Sequence, residues 1–546
     1  MSHSAWTSGD FVPWPAEEAA SYRSSGYWAG LTFGELLARR AAESGERRAV
    51  RDRHRTLTYR QLDEAASSFA TGLRDLGIRP GDRVLLQIPN RAEFLEALYA
   101  LFRLGAVPVM CLPAHRHAEL AAIAEASSAV ALIVARDGDG FSYLDLAQRI
   151  RQDVPSLRHV IAAGPATARA VSTAGADLDD LYPPAAELPA PSADAVALLQ
   201  LSGGSTGLPK LIPRTHDDYL YSVRRSIEVC GIDESSVYLA VLPASHNFTL
   251  SSAGILGALV AGGTVALTED PSPSSAFAFI KETGTTITAL VPPLARVWVN
   301  TAEQSAAPEL DTLQVVQIGG ARCPAELAAR IRPALGASVQ QVFGMAEGLV
   351  CYTRLDDPED IAVATQGRPM SDGDQLLVVD DHDRPVEAGA SGHLLTRGPY
   401  TIRGYFRNPA ANRRSFTDDG WYRTGDIVSI RPDGNLVVVG RSGDFINRSG
   451  EKLSPEELEQ HLLKHPLVDD VIAVGMADDM LGERTCVFVV PSAADTAPSL
   501  TDLRTFARQN GLADWKLPDE VRVVQEFPKT KVGKASRADL RAILRG

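Results

Sequence analysis

The run Ala195-Val196-Ala197-Leu198-Leu199-Gln200 leads into Leu201-Ser202-Gly203-Gly204-Ser205-Thr206-Gly207-Leu208-Pro209-Lys210. Its apolar part reads as a buried strand. The stretch after it is a loop of glycines and hydroxyls that ends on a lysine. Glycines let a backbone approach an oxyanion closely, and hydroxyls and backbone N–H groups can then donate to it. Lys210 adds a positive point charge. A loop of this kind is suited to phosphate and points to ATP or a related nucleotide. It is not a Walker A loop, which ends Gly-Lys-Ser/Thr: Leu208 and Pro209 separate Gly207 from Lys210, and Leu211 follows. A plain Gly/Ser linker would not follow an apolar run.

Strand and helix patterns alternate outward from this stretch. Phe33 to Ala42 and Tyr59 to Leu76 read as amphipathic helices. The turn Gly77 to Asp82 precedes a strand over 83–88, helix Arg91 to Leu104 and a strand over 106–110. The alternation recurs at 236–267 and 285–342. It predicts layered α/β architecture with largely parallel sheets. From about 375 to 440 the strands become short and turn-rich, predicting a small β subdomain. Arg441-Ser442-Gly443-Asp444 reads as a polar joint. Beyond it, helix 455–464, strands 471–474 and 486–490 and helix 500–510 predict a compact α/β segment. The expected division is 1–442 and 443–546, the second domain being small and mobile.

A chain of 546 residues is too long for one core. Its net charge of −14 argues against a general nucleic-acid or anionic-membrane binder. No apolar run is long enough for a transmembrane helix, and the N-terminus lacks the pattern of a secretory signal. Five scattered cysteines without a CxxC pair predict reduced thiols and a cytoplasmic setting. Metal-ligand spacing of Cys and His is absent.

Further motifs align with the glycine loop: Gln341 to Gly348, Trp421-Tyr422-Arg423-Thr424-Gly425-Asp426, Gly440-Arg441, and Pro528 to Lys534. In this order and spacing the whole chain resembles the adenylate-forming (ANL) superfamily of acyl-CoA synthetases, adenylation domains and luciferases. The resemblance implies an enzyme that makes an acyl adenylate from a carboxylate and ATP, then passes the acyl group to a thiol. Charge must then be stabilised on the α-phosphoryl and on the leaving pyrophosphate. It implies that Ser202, Gly203, Gly204, Ser205, Thr206, Gly207 and Lys210 hold the β/γ-phosphates. Glu347 would ligate Mg²⁺, a hard ion suited to carboxylate oxygen. Asp426 would accept from the ribose hydroxyls, and Arg441 would reach ribose and phosphate. Gly319, Gly320, Ala321 and Val342 would flank adenine. Lys534 would be the catalytic lysine bridging carboxylate and α-phosphate. With Lys529, Lys531 and Arg537 it could otherwise be taken for a nucleic-acid patch.

The segment Pro243 to Ser252 is similar to the stand-alone aryl-acid AMP ligases of siderophore and nonribosomal peptide pathways, which activate 2,3-dihydroxybenzoate or salicylate and load an aryl carrier protein. By that resemblance Asn247 faces the ortho hydroxyl of the acid, with Phe248, Ser252, Val350 and Gly320 around the ring, and His246 lines the tunnel between acid and thiol. Ser252 and Val350 match the dihydroxybenzoate ligases and Phe248 the salicylate ligases. The balance favours 2,3-dihydroxybenzoate, with salicylate and substituted salicylates open. Asn447 to Lys452 resembles the loop lining the pantetheine tunnel, with Gly450 and Lys452 as its residues. Gly443 stands where the superfamily usually has Asp or Lys at the hinge. The implied acceptor is a phosphopantetheinylated aryl carrier protein in trans. An aryl-CoA ligase using free CoA is the alternative, and a non-catalytic aryl-acid-binding protein a remote one.

Overall fold

The computed structural model describes residues 10–136, 140–164, 167–171, 177–202, 209–304, 307–323, 325–380, 382–441, 446–448, 451–453, 455–493, 496–528 and 537–545. Two large sheets form its body. In the eight-stranded sheet, Val196–Ser202, Val107–Met110, Arg83–Gln87, Ala131–Ala135 and His159–Gly164 run parallel side by side. Lys210–Thr215 closes one edge antiparallel to Val196–Ser202. In the nine-stranded sheet the parallel centre is Ser338–Gly344, Val315–Ile318, Ile287–Leu290, Val237–Ala240 and Thr264–Leu267. These central strands are largely buried on both faces, as parallel strands covered by helices are, with buried glutamines such as Gln317, Gln340 and Gln341 among their apolar residues.

The helices form where the sequence supplies both a stop and a stripe. Tyr59–Asp75 starts at a capping box between Thr58 and Gln61 and buries Leu62, Ala66, Phe69, Ala70 and Leu73 along one face. Ala92–Leu104 is buried almost all round and ends on Gly105 at φ 73°, a left-handed cap that glycine takes without a Cβ penalty. Its buried Glu93 and Glu96 both meet Arg55, at 3.2 and 2.8 Å, so the charges enter the core as a paired set.

One residue welds the two sheets where they converge. Asn90 follows strand Arg83–Gln87. Its Nδ2 donates to the carbonyls of Ala240, Leu242 and Thr268 at 3.0, 2.8 and 3.0 Å, and its Oδ1 accepts from Ala244 N at 2.7 Å. The first sheet thereby fixes the loop that leaves the second sheet after Ala240.

The region 375–441 is a four-stranded antiparallel sheet of Gln375–Val379, Gly392–Arg397, Tyr422–Ile430 and Leu436–Arg441. The C-terminal segment is a five-stranded sheet with helices Pro455–Leu462, Leu500–Gln509 and Arg537–Arg545. Its two long strands, Val468–Asp478 and Gly482–Pro491, extend well past the apolar cores 471–474 and 486–490 legible in sequence. Cross-strand pairing carries them through polar residues such as Asp470 and Arg484. Strands Ile446–Arg448, Glu451–Leu453 and Glu520–Val523 were not expected. They are short and take their partners from this ribbon and from each other. All five cysteines are buried and free. Among the described residues no helix is long and apolar enough to cross a membrane.

Asp374 couples the β subdomain to the core. Its Oδ2 accepts from Tyr400 at 2.6 Å, and the Tyr400 hydroxyl accepts from Val350 N at 3.1 Å. Burial pushes its carboxyl up to about 8 against the opposing pull of the Tyr400 hydrogen bond and Arg225. The folded protein thus holds a proton here that the unfolded chain releases near pH 4. Between about pH 4 and pH 8 the native state holds this extra proton, so the contribution of Asp374 to stability falls as pH rises. A thermal-unfolding series should show this decline, and Asp374→Asn, which is neutral at every pH, should flatten it.

Candidate active site

Both sheets deliver loops to one place, past the C-terminal ends of their parallel strands, the usual ligand position in α/β folds. A cavity of about 200 Å³ lies there. The first sheet contributes Met110 and Gln200 to Ser202. The second contributes Ser245 to Phe248, Gly320, and Gly344 to Glu347. The C-terminal segment covers the mouth with Glu451, Glu457, Trp515 and Lys516.

Of the residues singled out in sequence, Ser202, His246, Asn247, Phe248, Ser252, Gly320, Val342 and Glu347 line this cavity. Val350 is buried just behind it, in register with Gly344. Lys210 is tied to it through Tyr405, as described below. Gly319, Ala321, Asp426 and Arg441 are not in its lining. Asp426 is buried on strand Tyr422–Ile430 and paired in register with Arg441, of which only the backbone is described, as for Lys452. Gly203, Gly204, Ser205, Thr206, Gly207, Gly443, Gly450 and Lys534 lie outside the described residues.

One end of the cavity is apolar with a polar floor. Asn247 opens the short helix Asn247–Ser251, and its Oδ1 accepts from Tyr219 at 2.8 Å. His246 caps the same helix: its Nδ1 accepts from Phe248 N at 3.3 Å, leaving Nε2 to carry the ring proton of the neutral imidazole. Phe248 is packed so closely that a Cβ on Gly319 would stand 2.8 Å from its Cζ. Glycine at 319 is therefore a packing requirement of this ring. Ser252 is buried beside Tyr352, whose hydroxyl bonds Ser226 at 2.8 Å.

The other end carries charge. Glu347 is 4% exposed, and its Oε1 accepts from Tyr405 at 2.9 Å. Lys210 lies over the Tyr405 ring at 4.6 Å, with Nζ 3.5 Å from its hydroxyl. Burial, and then the Glu347 charge, hold the Tyr405 phenol well above its ordinary range, so it remains a donor. Among the described residues no cation pairs directly with Glu347. A buried carboxylate without a counter-ion is costly to keep charged and suits a site that receives a cation.

Arg214 holds both ends in place. Fully buried, it meets Asp218 at 2.6 Å, donates to Ala346 O at 2.8 Å and Tyr400 O at 3.2 Å, and lies 4.6 Å over the Tyr219 ring. Across the mouth, Lys516 bridges Glu457 at 2.6 Å and Glu119 at 3.2 Å. Tyr219, Tyr405, Arg214, Ser245 and Lys516 were missed in sequence. Ser245 lies within the segment Pro243 to Ser252 but was given no role there, and the others gain theirs only through the fold.

The chain is similar to known proteins along nearly its whole length. The family model described as "AMP-binding enzyme" matches residues 37–406, and that described as "AMP-binding enzyme C-terminal domain" matches 457–534. Three curated relatives align along nearly their whole length. A 2,3-dihydroxybenzoate-AMP ligase of Bacillus subtilis is 53% identical, over 97% of each chain. A salicylyl-CoA synthase / salicylate adenylyltransferase of a Streptomyces is 47% identical, over 98% of each. A salicyl-AMP ligase / salicyl-S-ArCP synthetase of Mycobacterium tuberculosis is 45% identical, over 98% of this chain and 94% of its own. Among solved structures, apo MbtA of Mycobacterium smegmatis superposes with a TM-score of 0.74 at 45% identity, covering 98% of both chains. The chain belongs to the AMP-binding enzymes. It is an adenylating ligase, with a larger N-terminal and a small C-terminal domain.

Replacing Arg214 by Met should lower stability by about 3–5 kcal/mol, because Asp218 is left as an unpaired buried charge. Adding Asp218→Asn should recover part of the loss. Thermal unfolding of the two variants measures both effects.

Proposed function

We propose that the enzyme activates an aryl acid of the 2,3-dihydroxybenzoate or salicylate type as its acyl adenylate, releasing pyrophosphate, and then loads the acyl group onto the phosphopantetheine thiol of an aryl carrier protein. One observation carries this reading. A single cavity joins an apolar end floored by an amide, at Asn247, Phe248 and Ser252, to a charged end at Glu347 and Ser202. An aromatic ring fits the first and a phosphate chain the second, which brings a carboxylate and an α-phosphate together between them.

Mg²⁺ binds through one or two carboxylates and the substrate's phosphates. Glu347, buried and without a described counter-ion, fits such a role and would hold the ion. The ion would supply neutralisation of phosphate charge. Tyr405 fixes the Glu347 carboxylate by its hydrogen bond and also meets Lys210. Ser202 to Lys210 would hold the β/γ-phosphates. Asp426 and Arg441 would hold the ribose, Gly319 to Ala321 and Val342 the adenine, and Lys534 the developing charge at the α-phosphate. His246, Gly450 and Lys452 would line the path of the thiol. We place the domain boundary at 442/443, with Gly443 as hinge. The buried free cysteines support a reducing, cytoplasmic setting.

ATP–pyrophosphate exchange tests the first half-reaction. Rates should be highest for 2,3-dihydroxybenzoate and salicylate and much lower for benzoate, which leaves the Asn247 amide unpaired. Equal rates for benzoate would remove Asn247 from acid recognition. Acyl transfer to a phosphopantetheinylated aryl carrier protein should exceed transfer to free CoA, and the reverse order would make the enzyme a CoA ligase. In the same exchange assay Lys534→Ala should lose at least about 100-fold, the usual scale for removing one charge-stabilising group; a variant that keeps most of its rate ends that assignment.

A further inference from the structure

The surroundings of the Asn247 amide fix which way round it stands. Tyr219 donates to Oδ1 at 2.8 Å. Ser251 Oγ bonds the Asn247 carbonyl at 3.0 Å and also reaches Oδ1 at 3.3 Å. The direction of the Tyr219 bond is set from behind. Gln200 Nε2 donates to the Tyr219 hydroxyl oxygen at 3.4 Å, so the phenol's own proton is left for Asn247. Burial pushes this phenol up to about 12, and it keeps its proton at neutral pH. The ring cannot swing away: Phe33 packs on its edge at 6.2 Å and Arg214 lies over its face at 4.6 Å. Among the described residues nothing accepts from Asn247 Nδ2. The Tyr219 proton is spent on Oδ1 while Ser251 shares its own between Oδ1 and the backbone carbonyl, and a flipped amide would leave the buried Tyr219 donor facing an N–H group.

Resting on the reading of Asn247 as part of the acid site, we infer that Tyr219 is a positioning residue that locks the Asn247 amide as a hydrogen-bond donor, restricting the enzyme to aryl acids with a hydrogen-bond acceptor ortho to the carboxylate. A 2-hydroxybenzoate meets this requirement. Its phenolic proton turns to its own carboxylate, and the phenolic oxygen presents lone pairs to Nδ2. A 2-aminobenzoate does not. Its nitrogen lone pair is delocalised into the ring, and its outward N–H would face another N–H. A site built to hydrogen-bond one group rejects an analogue that cannot pair far more strongly than an apolar site would. The selection therefore acts through the phenol of Tyr219, which lies behind Asn247.

The test is kcat/KM in ATP–pyrophosphate exchange with salicylate and with 2-aminobenzoate, for the full-length enzyme and for Tyr219→Phe, Ser251→Ala and the double variant. Tyr219→Phe keeps the ring, its packing and its contact with Arg214, and frees Oδ1 of its main donor. The amide can then rotate and offer Oδ1 to an N–H. The ratio of salicylate to 2-aminobenzoate should fall roughly tenfold in Tyr219→Phe, the scale of one hydrogen bond, and further in the double variant. Ser251→Ala alone should move it in the same direction by less, and carries the test if Tyr219→Phe does not fold. Loss on both acids in equal proportion, with the ratio unmoved, overturns the positioning role and leaves the aryl-acid reading standing. A wild-type enzyme that exchanges with no ortho-substituted benzoate overturns the aryl-acid reading, and this inference with it.

Discussion

The site depends on one guanidinium. Arg214 and Asp218 are both buried, and taking two charges out of water costs several kcal/mol per ion unless every donor and lone pair is used. Here they are. Asp218 Oδ1 takes Arg214, and its Oδ2 takes Thr215 N at 2.5 Å and Thr215 Oγ1 at 2.6 Å. The rest of the guanidinium donates to the carbonyls of Ala346 and Tyr400. The first adjoins Glu347. The second belongs to the tyrosine whose hydroxyl holds Val350 N. The flat face covers Tyr219, which holds Asn247. A lysine, a point charge on a flexible stem, could not make these contacts together. The junction of strand Lys210–Thr215 with helix His216–Cys230 thus sets the separation of the two cavity ends.

The mouth of the cavity follows a different rule. A single ammonium, Lys516, stands between carboxylates from two regions of the chain, Glu119 and Glu457. Burial penalises all three, yet the two acids respond in opposite directions. Glu119 also accepts from the backbone N–H groups of Arg116 and Ala513 at 3.0 and 3.2 Å. Against the cost of burial, the Lys516 charge, the neighbouring His115 and the Arg116 N–H hold its carboxyl below the ordinary range. For Glu457 burial outweighs the pull of Lys516, and its carboxyl is raised. The Lys516 ammonium is stabilised despite its own burial. Glu119, on helix His117–Ser127, is the partner through which Lys516 ties the C-terminal segment to the rest of the chain. Arg448 supports the contact by donating to Trp515 O and Leu517 O at 3.1 and 2.8 Å while pairing with Asp519 at 2.6 Å.

What the sequence made legible was what local chemistry decides. Helices Phe33–Ser44 and Tyr59–Asp75 announce themselves by a capping box and a buried stripe, and both lie where periodicity puts them. The central parallel strands read as short apolar runs. Strands Ile446–Arg448, Glu451–Leu453 and Glu520–Val523 have neither signal. Each is three or four residues long and carries charge, and only pairing with the long ribbon or with each other makes it a strand. The site divides in the same way. Glu347, Ser202 and Asn247 stand in motifs whose glycines and polar residues already look chemical. Tyr219 sits in the first turn of helix His216–Cys230, Lys516 on a 3₁₀ turn and Tyr405 in a connecting loop. In one dimension these are an aromatic on an apolar face, a surface lysine and a turn residue.

That division has a physical cause beyond motif length. A residue that touches substrate is constrained by the substrate's chemistry, which is the same wherever the reaction is run, and so its type and neighbours carry a signature. A residue that orients such a group is constrained only by the distance and direction of one bond inside this fold. Tyr219 could satisfy its role toward Asn247 from any element that brought a buried hydroxyl within 2.8 Å of Oδ1. Nothing in the residues around it in sequence need record that role. The polarity of the acid site therefore cannot be assigned from Asn247 alone, since an amide both donates and accepts. It is assigned by the hydroxyls behind the amide, and these become visible only when strand Val196–Ser202 brings Gln200 against helix His216–Cys230 and that helix meets Asn247.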